Sequence, residues 1–369
     1  MSAYAVPYTS FQGKNAPIRD KLVQAFESVL DSGRYIMGPE TQAFQREFAA
    51  YCQTAHAVGM ADGTSALHIV LRALNIGSGD EVITAPNSFI ASAAAIAHTG
   101  AKPVFADVRD DLNIDPEQIE SAITPRTRAI MPVHLTGRPA RMKEILVIAK
   151  AHNLFVIEDS AQAVGASLDG KRVGSWGTAA CFSLHPLKNL HAFGDGGMIS
   201  TDDTRLAEHV SQLRNHGLRN REDCDYWGFN DRLDELQAAL LRVQLRELDR
   251  WTEERRRLAF RYNELLKPFV TVPEENAGEY CVYQTYMVQA DRRNELKEFL
   301  VAHGVEALVH YSVPIHLQPA AKALNYTAAS FPVTARVCGQ ILSLPLYPGL
   351  KESQQELVAE LVGKFYRGN

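Results

Sequence analysis

The chain has 369 residues, 46% of them hydrophobic and 22% charged, with a formal net charge of −5. One hydrophobic core rarely serves that length, so a large domain over residues 1–266 and a smaller α+β domain over 267–369 are expected. The acidic balance argues against a general nucleic-acid binder, and nothing approaches the ~18 consecutive apolar residues of a membrane span.

In chain order, the opening MSAYAVPYTSFQGKN has no apolar stretch of the kind a secretory signal needs, and a cytoplasmic protein is expected. Ile18–Asp31 reads as an amphipathic helix ended by Ser32-Gly33, Thr41–Cys52 as a second, and Thr64–Leu74 as a third after the turn Ala61-Asp62-Gly63. An alternation follows: Glu81–Thr84 (strand), Ser88–Thr99 (helix), Pro103–Val108 (strand), Pro116–Ile123 (helix), Ala129–Leu135 (strand), Ala140–Asn153 (helix) and Phe155–Glu158 (strand). Ala179–Leu184 and Gly197–Ser200 read as further strands. This pattern implies an α/β fold, a mostly parallel sheet covered on both faces, with ligands bound beyond the carboxyl ends of its strands. Arg232–Leu266 reads as one long helical stretch, in which Arg255-Arg256-Arg257 after Glu253-Glu254 is either a solvated helix face or an interface or anionic-ligand contact. Thr285–Gln289 (strand), Arg292–Ala302 (helix), Val309–Ser312 (strand), and the helices Val333–Ser343 and Glu352–Phe365 complete the smaller domain. The five cysteines, Cys52, Cys181, Cys224, Cys281 and Cys338, form no C-x-x-C and are read as reduced thiols, with no metal site expected.

Four constellations carry chemistry. Ile157-Glu158-Asp159-Ser160-Ala161-Gln162 ends a buried strand in a carboxylate, which either caps the next helix or faces the ring nitrogen of a cofactor. Phe182-Ser183-Leu184-His185-Pro186-Leu187-Lys188 sets a lysine between two strands. A surface lysine is one reading; a desolvated amine of lowered pKa, able to attack a carbonyl, is the other. The following Gly194, Gly196 and Gly197 permit tight turns but do not form a dinucleotide fingerprint. Gly63, Thr64 and Ser65 open a helix whose N–H groups and dipole suit a phosphate. Phe89, just after a strand, is either core or a ring that stacks on a planar cofactor. Together they supply a phosphate grip, a stacking ring, a pyridinium partner and a Schiff-base lysine, which is what pyridoxal 5'-phosphate chemistry requires.

The chain also resembles the DegT/StrS-type sugar aminotransferases, fold type I PLP-dependent transferases. The resemblance rests on GRYIMGPE (33–40), ADGTSALHIVLRALNIGSGDEVITAPNSF (61–89), GAKPVFADV (100–108) and VHLTG (133–137). It continues through VIEDSAQAVGA (156–166), CFSLHPLKNLHAFGDGG (181–197), LRNHG (213–217), GFNDRLDELQAALLRVQL (228–245) and HYSVPIHLQPA (310–320). It implies that Lys188 binds the cofactor covalently and shuttles protons, Asp159 pairs with the pyridinium nitrogen, Gln162 lies near the ring hydroxyl and Phe89 stacks on the ring. Thr64, Ser65 and Ser183 would bind the phosphate, and Asn230 would reach it from the other subunit of a homodimer. The implied reaction moves an amino group from L-glutamate or glutamine to a keto-sugar, usually dTDP- or UDP-linked, with HYSVPIHLQ pointing to the 3-keto branch. Lys188, where one branch has histidine and dehydrates, favours transamination. His310, Tyr311 and His316 would line the substrate cleft, or pack at a domain interface. Arg232 would contact substrate or partner, or pair with Glu235, and His134 would face the cofactor region. A non-nucleotide keto-sugar or keto-cyclitol as acceptor, or a PLP-binding regulator without turnover, are the alternatives.

Overall fold

The structure, a computed structural model, describes residues 4–368; Met1–Ala3 of the opening segment and Asn369 lie outside the described residues. A seven-stranded sheet runs in the spatial order His56–Met60, Gly197–Thr201, Ala179–Ser183, Phe155–Asp159, Thr127–Met131, Glu81–Thr84, Lys102–Phe105. Gly197–Thr201 is antiparallel to both neighbours and every other pairing is between parallel strands.

Both faces of the sheet are buried, and the alternation of side chains along each strand shows why. Val82, Ala129, Met131, Ile157, Cys181 and Ile199 point to one face, against the helices Gly63–Ala73, Ala91–His98 and Thr204–Leu213. Their neighbours point the other way. Ile83, Ile130 and Val156 meet the helices Pro116–Ala122 and Met142–His152, while Ala180, Phe182 and Met198 meet Pro39–Cys52 and Glu235–Leu245. Burial on both faces is the setting in which parallel strands read as apolar runs.

A second core gathers Tyr262, Tyr286, Leu296, Leu342 and Val358, with Val6 of the N-terminal segment. Its frame is the antiparallel pair Tyr286–Gln289 and Ile341–Leu344, the helices Arg293–Ala302 and Glu352–Arg367, and the last turns of Leu248–Leu266. Tyr262 and Tyr286 stack with ring centroids 5.0 Å apart. Among the described residues no helix is long and apolar enough to cross a membrane.

Several expected elements are corrected. Arg232–Leu266 is two helices, Glu235–Leu245 and Leu248–Leu266, although no glycine or proline stands between them. The apolar series changes partner along the second helix: Leu241 and Leu248, on either side of the break, pack on the large sheet's cover, and Leu258, Tyr262 and Leu266 on the second core. Val333–Ser343 divides into the helix Pro332–Gln340 and the strand Ile341–Leu344. Val309–Ser312 is no strand; only Leu308 bridges to Ser343, and the chain then turns across the mouth of a cavity. Ser88 and Phe89 precede the helix Ala91–His98 in a turn, which leaves Phe89 half exposed.

Candidate active site

At the carboxyl ends of the central strands lies a cavity of about 450 Å³. The strand Phe155–Asp159 delivers Asp159 to it. Its end is fixed by Asp159 N–H donating to Pro132 O at 2.9 Å and Asp159 O accepting from His134 N–H at 3.0 Å. The carboxylate accepts from the Ser92 hydroxyl at 2.7 Å and from Ala161 N–H at 3.2 Å. Burial pushes the Asp159 carboxyl up, opposed by the Ser92 and Ala161 hydrogen bonds and by the charge of Lys188.

Lys188 sits half-buried in the wall opposite. Burial lowers its amine to about 8, while the Asp159 carboxylate pulls the other way. The loop that carries it is tied at each step. Leu184 N–H donates to Gly196 O at 2.8 Å, and Ala192 N–H to Leu184 O at 2.7 Å. Asn189 Nδ2 donates to Val164 O at 2.7 Å, Lys14 Nζ to Asn189 O at 2.9 Å, and Gln284 Nε2 to Leu187 O at 2.7 Å.

The helix Gly63–Ala73 points its N-terminus into the same cavity. Gly63 is needed there, because a Cβ would lie 2.8 Å from Ser183 Cβ. Gly197 is needed for the same approach, since a Cβ would lie 2.3 Å from Asp62 O. The N–H groups expected to be free are not: Thr64 and Ser65 both donate to the Asp62 carboxylate at 2.8 Å. Ser65 is drawn out of the cavity by this cap, its hydroxyl donating to Asp62 O at 3.0 Å.

Gly63, Thr64, Phe89, Asp159, Gln162, Ser183, Lys188, His310 and Tyr311 all line the cavity. Gln162 Oε1 accepts from Thr136 N–H at 2.7 Å. Phe89 and Tyr311 face each other with centroids 5.5 Å apart. Burial, and then the charge of Lys188, lower His310 to about 4, so its ring is neutral near pH 7; its Nδ1 is 2.9 Å from Ser343 Oγ.

Besides Ser65, four expected residues are not brought to this cavity. His134 is fully buried behind the sheet end. Its Nδ1 accepts from Ala140 N–H at 2.9 Å, so Nε2 carries the proton and donates to Glu158 Oε2 at 3.0 Å. Glu158 in turn accepts from the N–H groups of Gly174, Trp176 and Gly177, which makes this pair part of the scaffold. His316 packs among Phe105, Tyr326 and Phe331. Arg232 donates to Asn215 Oδ1 at 3.0 Å, and its supposed partner Glu235 is engaged elsewhere. Asn230 is exposed on the loop that bridges back to Asn215, away from its own chain's cavity.

Sequence reasoning missed Ser92 and Tyr8, and gave Arg255 only as one of a run of arginines that could meet an interface or an anion; all three residues line the cavity. Ser92 stands one helical turn beyond Ser88, and their hydroxyls lie 2.8 Å apart, a spacing visible in the sequence. Arg255 is 5% exposed and so departs from the solvated reading, whereas Arg257 stays exposed. Its position was legible: Trp251, Arg255, Leu258 and Tyr262 recur at helical spacing on the buried stripe. Tyr8 had no local signal, since distant contacts carry it there: Val6 bridges to Val305, and Tyr8 N–H donates to Glu306 Oε2 at 2.8 Å.

The residues present fit pyridoxal phosphate. A desolvated amine and a buried strand-end carboxylate face one cavity, a glycine-opened helix end approaches a serine hydroxyl, and an aromatic ring stands free. That set on a mostly parallel sheet defines a fold type I, pyridoxal-phosphate-dependent aminotransferase. The chain belongs to the DegT/DnrJ/EryC1/StrS aminotransferase family, whose model matches residues 17–363. It is 44% identical over 367 residues to a protein named pleiotropic regulatory protein from Geobacillus stearothermophilus, covering 98% of this chain and 99% of that one. It is 43% identical over 360 residues to dTDP-3-amino-3,4,6-trideoxy-alpha-D-glucose transaminase of Streptomyces venezuelae, covering 97% and 95%. The crystal structure of S. venezuelae DesV in complex with a ketimine intermediate superposes with a TM-score of 0.95, at 43% identity over 98% of each chain.

Proposed function

We propose that the protein transfers an amino group from L-glutamate to a nucleotide-linked keto-hexose, aminated at C-3, and works as a homodimer. The observation that carries this reading is the pairing of Lys188 and Asp159 across one cavity at the strand ends. The transaminase relative acts on a dTDP-linked 3-amino sugar by its name, which supports the choice of acceptor.

In this reading Lys188 is the attachment and proton-transfer residue. Lowered to about 8, its amine is partly neutral at physiological pH, and only the neutral form is a nucleophile or base. Asp159, held by Ser92 and Ala161, receives the pyridinium N–H. Phe89 covers the ring and Gln162 meets its hydroxyl. Thr64 and Ser183 take the phosphate at the positive end of the helix Gly63–Ala73. When bound, pyridoxal phosphate supplies an aldehyde that amines occupy in turn and a ring that withdraws electrons. His310, neutral and anchored to Ser343, and Tyr311 border the space where the substrates enter. Asn230, turned away from its own cavity, serves the phosphate of the partner's site.

The name of the Geobacillus relative favours a second reading, a regulator that binds the cofactor without turnover. One experiment separates them: the visible absorbance of the protein loaded with pyridoxal phosphate, followed after addition of L-glutamate. Loss of the band, restored by a keto-sugar nucleotide, supports the transaminase. A band that L-glutamate leaves unchanged supports the regulator.

A further inference from the structure

Some half-buried cations of this chain find anions, whereas the buried Lys14, Arg214, Arg255 and Arg293 form no ion pair among the described residues, and of these four only Arg255 lines the cavity of Lys188 and Asp159. Arg256 pairs with Glu275 at 2.5 Å, and Arg242 with Glu40 and Glu47 at 2.7 and 2.6 Å. Arg255 is 5% exposed and forms no ion pair among the described residues. Its Nη1 donates to two neutral main-chain oxygens, Tyr283 O at 3.1 Å and Leu346 O at 2.9 Å. The adjacent Glu254 carboxylate is turned to Gly349 N–H at 2.8 Å. Burial is costly enough to lower Arg255 to about 10, as expected of a guanidinium held only by carbonyls. Arg255 nevertheless lines the cavity that holds Lys188 and Asp159, with Tyr8 and Thr285 beside it.

We infer that Arg255 is the carboxylate-binding residue for the amino donor, the anion that completes this cation arriving with the substrate. The inference rests on the aminotransferase reading above and deepens it by naming how the donor is recognised. A guanidinium whose Nη1 is fixed by two carbonyls is oriented in advance, and its remaining N–H groups match a carboxylate edge. The phosphate is met at the other side of the cavity by the helix Gly63–Ala73 and Ser183. A nucleotide diphosphate is too bulky to reach a side chain this buried, whereas an amino acid enters whole. The hydroxyls of Tyr8 and Thr285 add neutral donors for the same group; Tyr8 is buried and its hydroxyl is held above its ordinary range, so it stays protonated.

The test uses the holoprotein and its Arg255→Met and Arg255→Lys variants, each loaded with pyridoxal phosphate. Loss of the visible band is timed with L-glutamate and, separately, with hydroxylamine, an uncharged reagent that attacks the same carbon. Arg255→Met should react with L-glutamate ~100-fold more slowly, the worth of one or two charged hydrogen bonds, with hydroxylamine unchanged within about threefold. Arg255→Lys should recover part of the loss. Equal slowing with both reagents, or no slowing with either, overturns the inference. If Arg255→Met does not fold, the parent decides: glutarate should compete with L-glutamate and uncharged glutaramide should not, and equal competition overturns it. A parent whose band L-glutamate never changes defeats the aminotransferase reading itself, which is a different outcome.

Discussion

Lys188 and Asp159 impose opposite demands on one small space: one must lose its charge and the other must keep it. Burial disfavours both charged forms, and their mutual attraction restores part of each. Lys188, lowered to about 8, gains its neutral form as pH rises through about 8 instead of through the usual range near 10.5. The rate at which pyridoxal phosphate attaches to the cofactor-free chain should therefore rise with pH and level off just above 8, read from the growth of the visible band. A rate still climbing at pH 10 would place the amine in a solvated setting. Ser92 contributes by holding Asp159, so Ser92→Ala leaves that carboxylate one donor short. Cofactor affinity should fall about tenfold, measured by equilibrium titration, because a hydrogen bond to a charged group contributes roughly 1.5–3 kcal/mol. These roles differ in how far the sequence disclosed them. Asp159 was visible as a strand-end carboxylate and Lys188 as a lysine in the loop after Ala179–Ser183, but a helix cap and a surface lysine were readings just as open from those residues alone. Arg255 lay in view on a buried stripe but was masked by its charged neighbours. Tyr8 depends on a pairing almost the length of the chain away.

At the scale of elements, some helix ends are satisfied from a distance and not from their own sequence. The helix Pro39–Cys52 has no side-chain cap of its own; the Glu235 carboxylate accepts from Gly38, Glu40 and Thr41 N–H at 2.8, 2.5 and 3.0 Å, and from Thr41 Oγ1 at 2.6 Å. Gly38 leaves room for it, since a Cβ there would lie 2.5 Å from Glu235 Oε1. Replacing Glu235 by Gln weakens four hydrogen bonds to a buried carboxylate and should cost about 2–4 kcal/mol, seen as a lower urea midpoint with unchanged slope. A loss below ~0.5 kcal/mol would show that the cap is dispensable. Strands and most helices of the large sheet were legible by alternation and by period, whereas the division at Arg246-Glu247 was not. No glycine, proline or cap residue marks that break in the sequence.

For the whole molecule, two consequences follow from what is buried and what is left exposed. His191 and His310 are neutral in the fold, lowered to about 3 and about 4 chiefly by burial, whereas the unfolded chain protonates them near 6.5. Between those values the unfolded state binds more protons, so stability is full above about 6.5 and is lost as pH falls towards 4. His191→Gln should flatten part of that decline in urea titrations across pH 4–7; an unaltered slope would assign it to other groups. The helix Arg19–Ser32 leaves Val23, Phe26 and Leu30 exposed near Phe11 and Phe193, an apolar face that the proposed homodimer would cover. Phe26→Asp should shift the protein to monomer in sedimentation and weaken cofactor binding, because Asn230 would no longer meet the partner's phosphate. A monomeric parent would contradict this part of the account.

The central claim is that Lys188 binds pyridoxal phosphate covalently, and borohydride reduction of the loaded protein tests it most directly. Peptide mass spectrometry should find the reduced pyridoxyl phosphate on the peptide containing Lys188, and prior addition of L-glutamate should abolish the label. A label on another lysine, or none on a folded protein supplied with the cofactor, would contradict the account.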